Sequence, residues 1–384
     1  MKRRMTFYRK AARFIGRFPL RQTFGIASVS GAVEWLRGQR IGSYVSDLRF
    51  EVRQIGMDLR DNDYKGKDVS LAAPTELIDT VLAACMEGWA HMAATTSDEV
   101  FRREEQACLR LLLSRQGEDG VWRFPYAFRD NPSGEAYACE NLMIVRALLK
   151  YVDRHGGSPE VESAVDKALR FVFERIGIEG GHVQYSPHDR VSVPNVTSMA
   201  ANCCALAGRL LCQAERRRLA SDLAEACISE QTDDGAYPYY ARGDFVYVPY
   251  HALEMAELAE ANRELGQKGL DESLVRAAEF LDQHLAMNGY VSHSPARRLD
   301  TLEFKTPIWS SRAYHALGNH RAAVEHLRKG LDMFRSPRGG YFYFVFALRT
   351  AGRCLRYPVI ESEFIRYVAS AFEIAGSVLR EDGG

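Results

Sequence analysis

A glycine followed by a large ring residue recurs along the chain. Gly120, Gly181, Gly235, Gly289 and Gly340 are spaced 61, 54, 54 and 51 residues apart, and within five residues of each comes Trp122, Tyr185, Tyr237, Tyr290 or Tyr341. Between these joints run segments with apolar residues at spacings of three and four, for example 136–152, 159–177, 194–213, 215–230, 248–264 and 271–287. That period is helical, and strand-like alternation is confined to short pieces such as GGYFYFVF at 339–346. A unit of about 54 residues holds two helices and two connections, so the repeat is a helical hairpin. With flanking helices at 74–95, 99–115, 306–317, 319–335 and 360–379, the count comes to about six hairpins.

Such hairpins either stack in an open superhelix or close into a ring of inner and outer helices. Closure is favoured by the segments that follow the aromatic joints, GEAYACENLMIV, PNVTSMAANCCALAG, PYHALEMAEL and TPIWSSRAYHAL, which carry small and polar residues where a packed core helix is apolar. Asn195, Ser198 and Asn202 share a helix face, and a buried polar stripe requires partners. The expected fold is therefore all-α, an (α/α)6-type toroid with aromatic-rich loops and a hollow, ligand-accepting middle. It spans residues 71–384, with residues 1–70 a basic helical arm packed on the body.

At 384 residues, 46% hydrophobic and 26% charged, the chain can bury a sizeable core, and its formal charge of zero gives no reason to expect nucleic acid. Charge is uneven all the same: Lys2, Arg3, Arg4, Arg9, Lys10, Arg13, Arg17 and Arg21 precede the first acid, Glu34. With Phe7, Phe14 and Phe18 on another face, this stretch either rests on an anionic membrane surface or covers apolar surface of the domain. It lacks the apolar run of a secretory signal, and nowhere do 18 apolar residues follow one another. The eight cysteines show no metal-ligand spacing and read as small core residues of a reducing cytoplasm, so neither metal nor other cofactor is expected.

Gln116, Asp119, Gly120 and Trp122 form a Q-x-x-D-G-x-W motif, and Gln231, Asp234, Gly235 and Tyr237 repeat it with Tyr for Trp. The motif resembles the repeat of the terpene-cyclase and protein-prenyltransferase α/α-toroid superfamily, over about residues 74–380. The resemblance implies that the loop joins an outer helix to the next inner one and that ligands sit in the cavity near the inner helix N-termini. In physical terms Gly allows the turn, Asp bonds amides at a helix start, Gln bridges to the neighbouring repeat and the ring wedges between hairpins, which makes these residues scaffold. The chemistry of that superfamily is not carried with the motif. The chain has no D-x-D-D acid and no D-D-x-x-D, and neither the Asp-Cys-His zinc set of prenyltransferases nor the ligands of LanC-like cyclases can be traced in it.

The segments around the joints hold Tyr, His, Asn, Arg and Glu, a mixture suited to sugars, because aromatic faces stack on sugar rings and Arg and Asn hold a carboxylate. As catalytic candidates we take Tyr185, His188, His251, Glu254, Tyr343 and Glu363, the tyrosines and histidines as acid or base and the glutamates as partner carboxylates. For substrate binding we take Asn195, Tyr250, Trp309, Arg349 and Arg356. QTDDGAYPYY with VPYHALEMAEL, and RYPVIESEF further on, are also similar to helical toroids encoded with bacterial surface-polysaccharide enzymes. The first reading is a carbohydrate-active enzyme of hydrolase, lyase or uronyl epimerase type, acting on a bacterial polysaccharide or lipid-linked oligosaccharide. A noncanonical isoprenoid cyclase or transferase, and a non-catalytic glycan- or protein-binding toroid, are the alternatives.

Overall fold

The computed structural model describes residues 79–96, 99–125, 131–292 and 299–334, together with five short strands outside those ranges. Its helices come in five hairpins: α1 (Asp79–Thr96) with α2 (Glu99–Arg115), α3 (Ala138–His155) with α4 (Pro159–Arg170), α5 (Pro194–Leu210) with α6 (Ala214–Ser229), α7 (Val248–Leu265) with α8 (Lys268–Asn288), and α9 (Lys305–Ala316) with α10 (His320–Phe334). A π-helical turn, Phe171–Ile176, continues α4. The first helix of each pair also packs on the first helix of the next pair, so α1, α3, α5, α7 and α9 form an inner layer and their partners an outer one. This is the α/α-toroid arrangement. The expected helix at 360–379 and, except for residues 27–28 and 65–67, the expected arm at 1–70 lie outside the described residues.

Burial follows the sequence pattern. In α4 the buried residues are Val161, Ala164, Val165, Ala168 and Leu169, the single stripe of an amphipathic helix with one face in water. Ser158 caps it, its Oγ accepting from the Val161 N–H at 3.3 Å, and Pro159 opens the first turn. Every residue of α5 from Pro194 to Ala207 is buried, as an inner helix requires. Small side chains make that approach possible: Ala200, Ala201, Cys203, Cys204, Ala205 and Ala207 are all fully buried. No helix among the described residues is long and apolar enough to cross a membrane.

The strands β1 (Ala27–Ser28), β2 (Lys65–Lys67), β3 (Pro74–Glu76), β4 (Ile178–Glu179), β5 (His182–Val183), β6 (Leu299–Glu303), β7 (Phe342–Leu348) and β8 (Arg353–Pro358) are short additions to this helical frame. β1, β8, β7 and β6 form one antiparallel sheet in that order, and β6 leads directly into α9. Residues 342–346 of the alternating stretch fall in β7, with a register irregularity between Phe342 and Phe344 at Tyr343.

The expected hollow middle is corrected by the side chains of the inner helices. Arg146 of α3 reaches Glu257 of α7 at 2.5 Å and Glu87 of α1 at 3.2 Å, and Arg312 of α9 meets Glu257 at 2.9 Å and Glu260 at 3.0 Å. Lys150 lies 3.3 Å from Glu87 and 3.6 Å from Glu260, while Asn202 of α5 donates to Glu257 at 2.7 Å and Glu260 at 3.0 Å. This layer ties all five described inner helices together across the ring. Burying ions is costly unless each is paired, and the mutual pairing of three acids with three bases meets that condition. Open space is left at the N-terminal ends of the inner helices.

Candidate functional site

The joints act as the sequence implies. Gln116 donates from Nε2 to the Gly120 carbonyl at 2.8 Å and to the Ala164 carbonyl of α4 at 2.9 Å, and Gln231 donates to Gly235 and to Ser273 of α8, both at 2.9 Å. Each glutamine therefore ties its own turn to the outer helix of the next hairpin. Gly120 and Gly235 have φ of +86° and +89°, and an added Cβ would sit 2.5 Å from Lys167 Cβ or 2.4 Å from the Arg276 carbonyl oxygen, so only glycine fits. Trp122 is buried with Nε1 donating to the Leu112 carbonyl at 2.8 Å, and the Tyr237 hydroxyl pairs with Ser273 Oγ at 2.7 Å.

Two positions after the glycine, the backbone N–H is bound by a side chain of the next inner helix. Trp122 N–H donates to Asn141 Oδ1 at 2.9 Å, Val183 N–H to Thr197 Oγ1 at 3.1 Å and Tyr237 N–H to His251 Nδ1 at 3.0 Å. Asn141, Thr197 and His251 are each the fourth residue of their helix. In the second joint Val183 occupies the place of Trp122 and Tyr237, which frees Tyr185 for another role.

Four positions after the glycine the ring faces a cavity. Phe124, Tyr185 and Tyr239, from three successive joints, line a space of about 120 Å³ together with Tyr137, Glu140 and Met143 at the start of α3, Asn195 and Val196 of α5, Tyr250 and Leu253 of α7 and Trp309 of α9. Its rings form two clusters. Tyr239 stacks on Tyr250 with centroids 5.3 Å apart and planes at 15°, and Tyr250 meets Trp309 at 5.4 Å and 30°. Tyr137 packs on Tyr185 at 5.3 Å and edge-on to Phe124 at 5.9 Å. Asn195 belongs to α5, the helix between those that carry the two clusters; it is 7% exposed, and its Oδ1 has no hydrogen-bond partner.

Behind the second cluster, the Lys305 Nζ lies 4.7 Å from the Tyr247 ring centre, 4.8 Å from Tyr250 and 6.0 Å from Trp309, and pairs with Glu303 at 2.9 Å. Tyr247 donates its hydroxyl to the same Glu303, and burial raises its pKa well above the usual phenol value. The cation holds the faces of two cavity rings in place. One helical turn below the cavity lies the ionic layer: Arg146 follows Met143 by three residues and Glu257 follows Leu253 by four. Among the described residues, no group of His, Cys, Asp and Glu is arranged to hold a metal ion.

Of the residues selected from sequence, Tyr185, Asn195, Tyr250 and Trp309 are brought together on the cavity wall. Three others are placed elsewhere, which corrects their expected positions. His251 is 1% exposed, accepts the Tyr237 N–H at Nδ1 and donates from Nε2 to the Ala277 carbonyl at 3.1 Å; burial lowers its pKa to about 4, so it is a neutral joint residue. Glu254 shares that face, is 1% exposed, and has its carboxyl pKa raised well above the usual range by burial, close to the Cys227 thiol. His188 is exposed on its loop, with Nδ1 2.6 Å from the buried Glu135 carboxylate. Tyr343 and Arg356 belong to β7 and β8, whereas Arg349 and Glu363 lie outside the described residues. The polar stripe of α5 divides its duties: Asn195 faces the cavity, Ser198 donates to the Asn195 carbonyl of its own helix, and Asn202 joins the ionic layer.

Sequence reading missed Phe124, Tyr137, Glu140 and Tyr239, although a signal was present. The ring four places after Gly120, Gly181 and Gly235 marks the cavity wall.

No protein-family model and no curated protein matches the chain. Solved structures do. Over 87% of this chain and 100% of its own, the cellobiose 2-epimerase from Bacillus thermoamylovorans B4167 is similar with a TM-score of 0.61 at 12% identity. A sugar epimerase from a ruminal bacterium is similar over 86% and 98% of the two chains, with a TM-score of 0.63 at 10% identity. An unsaturated glucuronyl hydrolase specific for heparin is similar over 88% and 97%, with a TM-score of 0.62 at 9% identity. At these identities the likeness is one of fold, and it establishes the toroid.

Proposed function

We propose that the chain is a carbohydrate-active enzyme, of epimerase, hydrolase or lyase type, working in the cavity at the N-terminal mouth of the toroid on an oligosaccharide or polysaccharide. The observation that carries this reading is the cavity wall itself: six aromatic rings in two clusters, with Asn195, whose buried Oδ1 has no hydrogen-bond partner, between them and the Glu140 carboxylate on the same wall. Ring faces take the C–H faces of a sugar, and polar side chains take its hydroxyls. That structures of the same architecture are named as sugar epimerases, a D-mannose isomerase and a glucuronyl hydrolase supports it. In this reading Tyr185 and Glu140 move the proton, chosen from a wall that also carries the phenols of Tyr137, Tyr239 and Tyr250. Tyr250 and Trp309 stack on the substrate.

An isoprenoid cyclase would use the same six rings to stabilise a carbocation. Lys305 argues against it. A protein cation, paired with Glu303, already makes the cation–π contacts of Tyr250 and Trp309 from behind, which weakens what these rings offer a second cation on the cavity side.

Saturation-transfer NMR with cellobiose, D-mannose, a heparin-derived unsaturated disaccharide and geranyl diphosphate separates the readings. We expect saturation on at least one sugar, its loss in Tyr250→Ala and Trp309→Ala, and slow conversion of that sugar on prolonged incubation. Saturation of geranyl diphosphate with none of any sugar overturns the reading.

A further inference from the structure

We propose that the cavity is one ring deep and takes the terminal ring of a glycan, with Asn195 Oδ1 accepting a hydrogen bond from one of that ring's hydroxyls. The inference rests on the carbohydrate reading above and adds the mode of binding to it.

Depth is set by the ionic layer. The lining residues that belong to the inner helices come from their first two turns, and on the next turn Arg146 and Glu257 meet at 2.5 Å across the ring, with Arg312, Glu87 and Asn202 around them. Among the described residues a glycan therefore has an entrance at the mouth and no path through the centre. Size agrees: the space is about 120 Å³, near the roughly 150 Å³ of a protein cavity that holds a single benzene ring. An interior chain residue, with neighbours on both sides, would have to leave this cup twice; a chain end enters once.

Asn195 supplies the specific contact. It is the second residue of α5, 7% exposed, on the cavity wall, and its Oδ1 lacks a hydrogen-bond partner. A buried acceptor without a donor is unfavourable, so a hydroxyl delivered to this point is bound more tightly than the same ring without it. The rings of Tyr250 and Trp309 orient the sugar face, and Asn195 selects which edge points inward.

The test uses the whole protein and three linear trisaccharides, β-1,4-linked glucotriose, mannotriose and galactotriose. Saturation-transfer NMR should place most of the signal on one end ring, at least about threefold above the middle ring. Asn195→Ala should weaken binding about tenfold, a loss absent with the monodeoxy analogue that lacks the contacting hydroxyl. Asn195→Asp, which keeps the acceptor and the shape, should bind within about threefold of the parent. Saturation centred on the middle ring, or an Asn195→Ala protein of native circular dichroism and unchanged affinity, overturns the inference and leaves the carbohydrate reading standing. Failure of every sugar to bind removes both.

Discussion

His251 offers the sharpest discrimination between a chemical and a structural role, because two other joints solve the same problem with different side chains. Asn141 and Thr197 bind the backbone N–H that His251 binds in the third case, all from the fourth position of an inner helix. Replacing His251 by Ala leaves the buried Tyr237 N–H without an acceptor and opens a void, which together cost about 2–4 kcal/mol at pH 7. His251→Asn restores the acceptor as Asn141 does and should recover at least about half of that loss. The pH dependence follows from the lowered pKa. With a folded value of about 4 and an unfolded value near 6.5, the unfolded chain binds the proton first as pH falls, so stability is full above 6.5 and declines toward 4. Between pH 7 and pH 5 this one residue costs about 2 kcal/mol, and the Asn variant should be spared that amount. Urea unfolding of parent, Ala and Asn proteins at the two pH values measures it, the contributions of His182, His284 and His326, whose pKa values burial also lowers, cancelling in the difference. Equal pH sensitivity in parent and Asn variant, or loss of turnover in an Asn variant of undiminished stability, would refute the joint assignment.

Removing one member of the ionic layer should be costly. Arg146→Met leaves Glu87 and Glu257 short of a partner and should destabilise by about 3–5 kcal/mol in urea unfolding, with a large part recovered when Glu257 alone is also made Gln, which leaves Glu87 and Glu260 against Lys150 and Arg312. Gly235→Ala combines a left-handed φ with a collision against the Arg276 carbonyl and should cost at least about 2 kcal/mol, whereas Gly266→Ala, also at positive φ but in open space, should cost about 1 kcal/mol. A smaller loss at Gly235 than at Gly266 would contradict the close-packed joint.

Much of the architecture was legible because it is local and periodic. The three-and-four spacing of Val161, Ala164, Val165, Ala168 and Leu169 is an outer helix in any context, and Gln116 and Gln231 mark turns whose hydrogen bonds close within one repeat. The site was less legible. His251 and Glu254 lie on the same helix as Tyr250 and Leu253, and a rotation of about 100° per residue decides which pair faces the cavity and which the outer layer. His188 stands in a polar loop beside Tyr185, yet only Tyr185 turns inward.

By itself the order of residues determined the hairpin repeat, the glycine joints and the inner and outer character of the helices, since each depends on contacts among near neighbours in the chain. Only the assembled ring decided that Glu87, Arg146, Lys150, Asn202, Glu257, Glu260 and Arg312 would meet, and so where the centre is shut and where it is open. Those residues are up to some 225 positions apart, and along the sequence each is an ordinary polar helix residue. Their partnership exists because closing the circle brings five helices to one axis, where a charge is stable only against its opposite.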